Sequence, residues 1–209
     1  MRILLADDHA MLRGGLKLML LEAFKGVEFG EAENCQQALV AATGQAWDLV
    51  ILDISMPGRG GLDVLKEIHA LRPKLPVLIL STYEERQFAM RAFRSGACGY
   101  LTKASAGSEL IRAIERILDG GRYVSAVLAE QMASVLGKSA TEVLHERLSD
   151  REFEILRMFA AGKTVKDIAA ELSLSVNTIS TYRTRILEKM NMRGNAELMH
   201  YAITNNLIE

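Results

Sequence analysis

The sequence predicts an α/β chain with an all-helical second part. Five β-α units form a parallel sheet covered on both faces, a helical linker follows, and four helices close the chain. Three observations carry this. Short apolar runs recur, among them Leu49-Val50-Ile51-Leu52 and Val77-Leu78-Ile79-Leu80, as strands buried on both faces require. Between the runs, apolar residues return at helical spacing. After about residue 121 the strand signals stop and only helical periodicity is left.

Taken in order, Ile3 to Ala6 is the first strand, and Leu12, Leu16, Met19 and Ala23 mark the helix after it. Val27 to Ala32 is a weaker strand, and Gln36 to Thr43 a short helix. Leu49 to Leu52 is followed by a turn at Met56-Pro57-Gly58-Arg59-Gly60-Gly61. Leu62, Leu65, Ile68 and Leu71 mark a helix that stops before Pro73. Val77 to Leu80, a helix through Phe88, Ala89, Ala92 and Phe93, and Gly99 to Thr102 come next. A helix with Leu110, Ile111, Ile114, Ile117 and Leu118 ends at Gly120-Gly121. The predicted domains are 1–121, a helical linker 122–146 and a helical unit 147–209. The linker helix carries Val124, Val127, Leu128, Met132 and Val135, with a flexible break at 137–141. In the last unit, Ser149 and Glu152 form a capping box, with Leu148 and Phe153 as its staple. A short helix with Val165, Ile168, Ala169 and Leu172 is joined through Ser173-Leu174-Ser175 to a longer one ending near Met190, with Ser175 as N-cap. Two helices joined so tightly form a helix-turn-helix.

A length of 209 residues suits one or two domains with a real core, and a net charge of -1 excludes a globally basic nucleic-acid coat. Cys35 and Cys98 lack metal-type spacing and read as thiols in a reducing compartment. The ten Met residues are scattered singly, as core filler. With no signal-type segment and no apolar stretch able to span a bilayer, the expected location is the cytoplasm, with no membrane partner.

Chemistry gathers where the strands stop. The apolar runs end in Asp7-Asp8, Asp53, Ser81 and Lys103. Open parallel sheets bind ligands at the carboxyl ends of their strands, at a topological switch point, which places these groups together. Singly, each has a plainer reading: Asp after a strand caps a turn or helix, and a lone Lys is solvated. Jointly, they suit a hard divalent cation and a phosphoryl group, with Asp53 able to form an aspartyl phosphate and Lys103 to pair with a phosphoryl oxygen.

Residues 1 to about 121 resemble the flavodoxin-like (βα)5 receiver domain of bacterial response regulators. The resemblance rests on Leu5-Ala6-Asp7-Asp8-His9, Leu52-Asp53-Ile54-Ser55-Met56-Pro57-Gly58, Leu80-Ser81-Thr82 and Gly96-Ala97-Cys98-Gly99-Tyr100-Leu101-Thr102-Lys103. It implies phosphotransfer to Asp53 from a sensor histidine kinase. It implies Mg²⁺ held by Asp8, Asp53 and the backbone carbonyl of Ser55, with Asp7 acting through water. It further implies that Ser81 and Tyr100 are coupled switch residues. Ser55 and Tyr83 fall where the family's hydrolytic water passes, and neither is an obvious base, so a long-lived phosphate is expected. Ala104 stands where receivers often have Pro.

In the last unit, Ile179, Ile186 and Met190 share one helix face while Ser180, Thr181, Thr184 and Arg185 lie largely opposite. Arg183, Arg185, Lys189 and Arg193 add local positive charge. Such a face suits a major groove, although from charge alone an ordinary solvated helix surface is the plainer reading. Residues from about 147 to 209 also look like the LuxR/NarL/FixJ helix-turn-helix, through Leu148-Ser149-Asp150-Arg151-Glu152, Ile168-Ala169, Leu172, Val176-Asn177-Thr178-Ile179, Tyr182 and Leu187-Glu188-Lys189-Met190. The family often has Lys where this chain has Ser180, and a polar residue where it has Val165. Readout is therefore assigned chiefly to Thr181 and Thr184, with Ser180 beside them. Backbone contacts are assigned to Lys166, Asn177, Thr178, Arg185 and Lys189. The final helix, with Leu198, Met199 and Ala202, is the expected dimer surface, with packing against the unit's own core as the plainer reading.

Together these readings give a non-enzymatic, phosphorylation-controlled transcription regulator. It is expected to act on double-stranded promoter DNA, to form homodimers when phosphorylated, and to have RNA polymerase as a further partner. Two alternatives use the same residues: a Mg²⁺-dependent phosphohydrolase with Asp53 as nucleophile, and a phospho-switch acting only through protein partners. The first lacks a second carboxylate two residues after Asp53, where Ser55 stands.

Overall fold

A computed structural model describes residues 1–56, 59–83, 85–126, 128–130, 144–205 and 207–208, with backbone alone for 85–87. Pro57, Gly58, Val127, Met132, Val135 and the break at 137–141 lie outside them. The chain divides into two units, Met1–Gly137 and Lys138–Glu209. No helix among the described residues is long and apolar enough to cross a membrane.

The first unit alternates β1 (Arg2–Ala6), α1 (Ala10–Ala23), β2 (Glu28–Ala32), α2 (Cys35–Gly44), β3 (Leu49–Leu52), α3 (Gly61–Leu71), β4 (Val77–Ser81), α4 (Glu85–Arg94), β5 (Gly99–Thr102) and α5 (Ala106–Leu118). The sheet is parallel throughout, in the order β2-β1-β3-β4-β5. The order reverses beside β1, which makes the switch point the sequence predicts. Strands β3 and β4 are buried along their whole length, as their unbroken apolar runs require. The edge strand β2 is buried only at Ala32, which is why its pattern is weak.

Register decides what meets at the switch point. Ala6 pairs with Leu52, and Ser81 with Thr102. The ladder then runs one step further on each strand. Asp7 N–H donates to the Ala32 carbonyl at 3.0 Å, Asp53 N–H to Ala6 at 2.8 Å and Lys103 N–H to Ser81 at 2.8 Å. Asp7, Asp53 and Lys103 are thus each held by a hydrogen bond that extends the sheet ladder.

The connection after β3 is fixed by a close approach. A Cβ on Gly61, the first residue of α3, would lie 2.4 Å from the Ile54 Cα, so only glycine lets the helix start against the residue after Asp53. After α5 the chain is first extended. Tyr123 N–H donates to the Cys98 carbonyl at 2.9 Å, and Tyr123 bridges to Gly99. The helical part of the linker begins beyond it, where Ser125 Oγ accepts from Leu128 N–H.

The second unit holds a 3-10 turn (Leu144–Arg147), α6 (Asp150–Ala160), α7 (Val165–Glu171), α8 (Val176–Met190) and α9 (Asn195–Thr204). Ser149 and Glu152 form the expected capping box, over a buried Leu148 and Phe153. A second box, Thr164 with Asp167, starts α7 and had no counterpart in the sequence reading. Within the described residues of this unit, three helices end in the Schellman pattern, at Gly162, Ser173 and Asn191, all with positive φ. At Ser173 and Asn191 a side chain bears the left-handed conformation that glycine usually fills.

Trp47 is the chain's one tryptophan and lies in the first unit, so its fluorescence reports unfolding there. In urea unfolding, Gly61→Ala is expected to cost about 1–3 kcal/mol through overpacking. Gly14→Ala, inside α1 and facing open space, should be neutral or stabilising by up to about 1 kcal/mol.

Candidate functional site

Asp7 and Asp53 are almost wholly buried, at 3 % and 1 % exposure, with their carboxylates side by side at the ends of β1 and β3. Two such charges repel unless a cation intervenes. Lys103, arriving from β5, places its Nζ 2.7 Å from Asp7 Oδ2 and 2.7 Å from Asp53 Oδ2. Burial pushes the Asp53 carboxyl above its ordinary value, and the adjacent Lys103 and the Ser55 N–H oppose the rise without cancelling it. Burial pulls the Lys103 ammonium down, but Asp53 and Asp7 outweigh this and hold it above its ordinary value.

Asp8 and His9 form the outer rim. His9 Nδ1 lies 2.9 Å from Asp8 Oδ1 and 3.2 Å from Asp7 Oδ1. Donor atoms of Asp7, Asp8, His9 and Asp53 all fall within 4.8 Å of one another. His9 belongs to this cluster although the sequence reading gave it no role.

On the far side, Ser55 N–H donates to Asp53 Oδ1 at 2.7 Å. The Ser55 hydroxyl lies 2.9 Å from Ser81 Oγ and 3.1 Å from Thr82 Oγ1. Tyr83 N–H donates to Ser81 Oγ at 3.1 Å, and the buried Tyr100 hydroxyl donates to the Tyr83 carbonyl at 2.8 Å. The Tyr83 ring stacks on Phe88 with centroids 4.5 Å apart.

One support escaped the sequence reading altogether. Arg13, on α1, is 5 % exposed. Its guanidinium donates to the Asp7 carbonyl at 2.6 Å, to Glu33 at 2.7 Å and to Glu31 at 3.0 Å. It pins the backbone of one acidic residue to the edge of the sheet. Apolar periodicity cannot signal an arginine that occupies a buried position.

In the second unit, Ile179, Ile186 and Met190 point inward from α8. Ser180, Thr181 and Thr184 are exposed, each hydroxyl donating to the carbonyl four residues earlier. Asn177, Thr178, Thr181, Tyr182 and Arg185 line an open concavity of about 340 Å³. Thr178 also bonds the N-cap Ser175, Oγ to Oγ at 2.8 Å, and Lys166 is exposed on α7. Lys189 is exposed and donates to Glu152 at 2.6 Å, which ties α8 to α6. One expectation is revised. On α9, Leu198 and Ala202 are fully buried in the unit's own core, and the outward apolar residues are Met199 and Ile203.

The family described as response regulator receiver domain matches residues 3–115, and that of bacterial regulatory proteins of the luxR family matches residues 146–202. The chain therefore belongs to the response regulators, as a receiver followed by a LuxR-type DNA-binding domain, a class that regulates transcription. Among its relatives, the response regulator UvrY of Escherichia coli K12 is 36 % identical over 207 residues, spanning 98 % of this chain and 94 % of that protein. The response regulator GacA of Pseudomonas protegens is 32 % identical over 208 residues, spanning 100 % and 98 %. Of solved structures, RcsB from Salmonella enterica serovar Typhimurium, bound to promoter rprA with the phosphomimetic BeF3−, aligns with a TM-score of 0.64 at 26 % identity. That match covers 96 % of this chain and 98 % of RcsB.

An unperturbed glutamate titrates at about 4.3. Burial pushes the Glu152 carboxyl up, but Lys189 and the Ser149 donors outweigh that and hold it lower in the folded unit. Its contribution is complete above that pH and is lost as the pH falls through the folded value. Glu152→Gln keeps the capping geometry without the charge. Its helical melting midpoint should drop at neutral pH and vary less than wild type as the pH falls through and below the ordinary carboxylate range.

Proposed function

We propose that Asp53 accepts a phosphoryl group from a phosphohistidine of a sensor kinase and that the phosphate controls DNA binding by the second unit. An Asp53 oxygen attacks phosphorus, the P–N bond breaks, and its electrons return to the imidazole, which takes a proton from solvent. Lys103 would pair with a phosphoryl oxygen, and Ser81 would donate to another. The carrying observation is the Lys103 ammonium at 2.7 Å from both buried carboxylates, a cation already poised over the nucleophile.

The residues also fit a divalent cation. Asp7 Oδ2 and Asp53 Oδ2 are buried and lack an aligned hydrogen bond among the described residues. Three carboxylates against one ammonium leave two negative charges, and the donors are mainly oxygen, which suits Mg²⁺. Asp8, Asp53 and the Ser55 carbonyl would hold it, with Asp7 acting through water. When bound, Mg²⁺ neutralises charge on the transferring group.

For the second unit, the exposed Thr181 and Thr184, with Asn177 and Arg185 beside them, support major-groove docking of α8. Phosphorylation then favours dimers on paired half-sites, with Met199 and Ile203 as the apolar part of the α9 surface.

Asp53→Asn is expected to abolish the gain in operator affinity that kinase treatment gives the wild type, measured by fluorescence anisotropy. A variant that still gains affinity sinks the phosphoacceptor assignment. Arg185→Ala should weaken binding to all duplexes and flatten the slope of log affinity against log salt by about 1.

A further inference from the structure

An unbroken chain of hydrogen bonds runs from Asp53 to the buried Tyr100, and Ser55 is its branch point. Ser55 N–H holds Asp53 Oδ1, and the Ser55 hydroxyl meets those of Ser81 and Thr82. Ser81 Oγ receives Tyr83 N–H, and the Tyr83 carbonyl receives the Tyr100 hydroxyl.

Proton counting gives this chain a direction. A serine hydroxyl donates one hydrogen bond and accepts two. Ser81 is fully buried, so its proton must find an acceptor inside the protein. Its Oγ already accepts from Tyr83, and Ser55 Oγ is the acceptor within reach among the described residues. Ser81 therefore donates to Ser55, whose own proton is left for Thr82 at 3.1 Å.

A phosphoryl oxygen on Asp53 only accepts. For Ser81 to serve it, that single proton has to leave Ser55. We propose that the Ser55 hydroxyl is a positioning residue that competes with the phosphoryl group for the Ser81 proton and so restrains the switch at rest. The inference rests on Asp53 being the phosphoacceptor. When Ser81 turns its proton to the phosphoryl group, the bond it donates to Ser55 is given up, and the Ser55 hydroxyl is left with the exposed Thr82. The loop after β4 then registers the event through rotation of hydroxyls alone.

The test titrates beryllofluoride, a phosphoryl mimic, into the full chain with Mg²⁺, following the amide resonances of Thr82 and Tyr83. One neutral hydrogen bond corresponds to about a fivefold change in an equilibrium. Half-saturation should fall about fivefold in Ser55→Ala, and likewise in Ser55→Gly, while Ser55→Thr matches wild type. In a Ser81→Ala background, Ser55→Ala should change nothing. Unchanged or weaker binding by the hydroxyl-free variants overturns the proposal, as does an effect that persists without Ser81. Beryllofluoride binding that survives Asp53→Ala instead defeats the phosphoacceptor reading, independently of Ser55.

Discussion

The contact on which the site depends is the double ion pair of Lys103 with Asp7 and Asp53. Two carboxylates at the ends of adjacent strands cannot both stay charged out of water without a cation between them. The sheet delivers that cation from β5, two strands away from β3, and the Ser81-to-Lys103 backbone bond fixes where its side chain begins. The rest of the pocket is built outward from this arrangement. Ser55 steadies the free oxygen of Asp53, Arg13 steadies the backbone of Asp7, and Asp8 with His9 faces solvent.

The second unit is organised by helix ends more than by its small core. Capping boxes start α6 and α7, Ser175 starts α8, and Schellman turns finish all three. The turn at Ser173 sets where α8 departs from α7, so the exposed threonines inherit their placement from a backbone position under strain. The Lys189–Glu152 bond adds a side-chain tie between α8 and α6.

Much of this was legible in the residues. Unbroken apolar runs such as Leu49–Leu52 mark strands covered on both faces, and the switch-point rule then gathers Asp7, Asp53, Ser81 and Lys103. Periodicity found the buried face of α8 through Ile179, Ile186 and Met190. It failed where a polar group takes a buried place, as at Arg13, and it does not by itself tell whether Leu198 and Ala202 serve the unit's own core or an outer surface. Tyr123 was missed for another reason: a single residue added to a sheet edge has no period to detect.

That added residue has a consequence for behaviour in crowded solution. An open sheet offers unpaired main-chain groups along both borders, and these invite strands from other molecules. Here Tyr123 covers part of the β5 border. The β2 border carries Glu28 and Glu31, the latter ion-paired with Arg13 and Lys17. Charge on one margin and a covering residue on the other keep the sheet from recruiting neighbours, so that association is left to surfaces outside it.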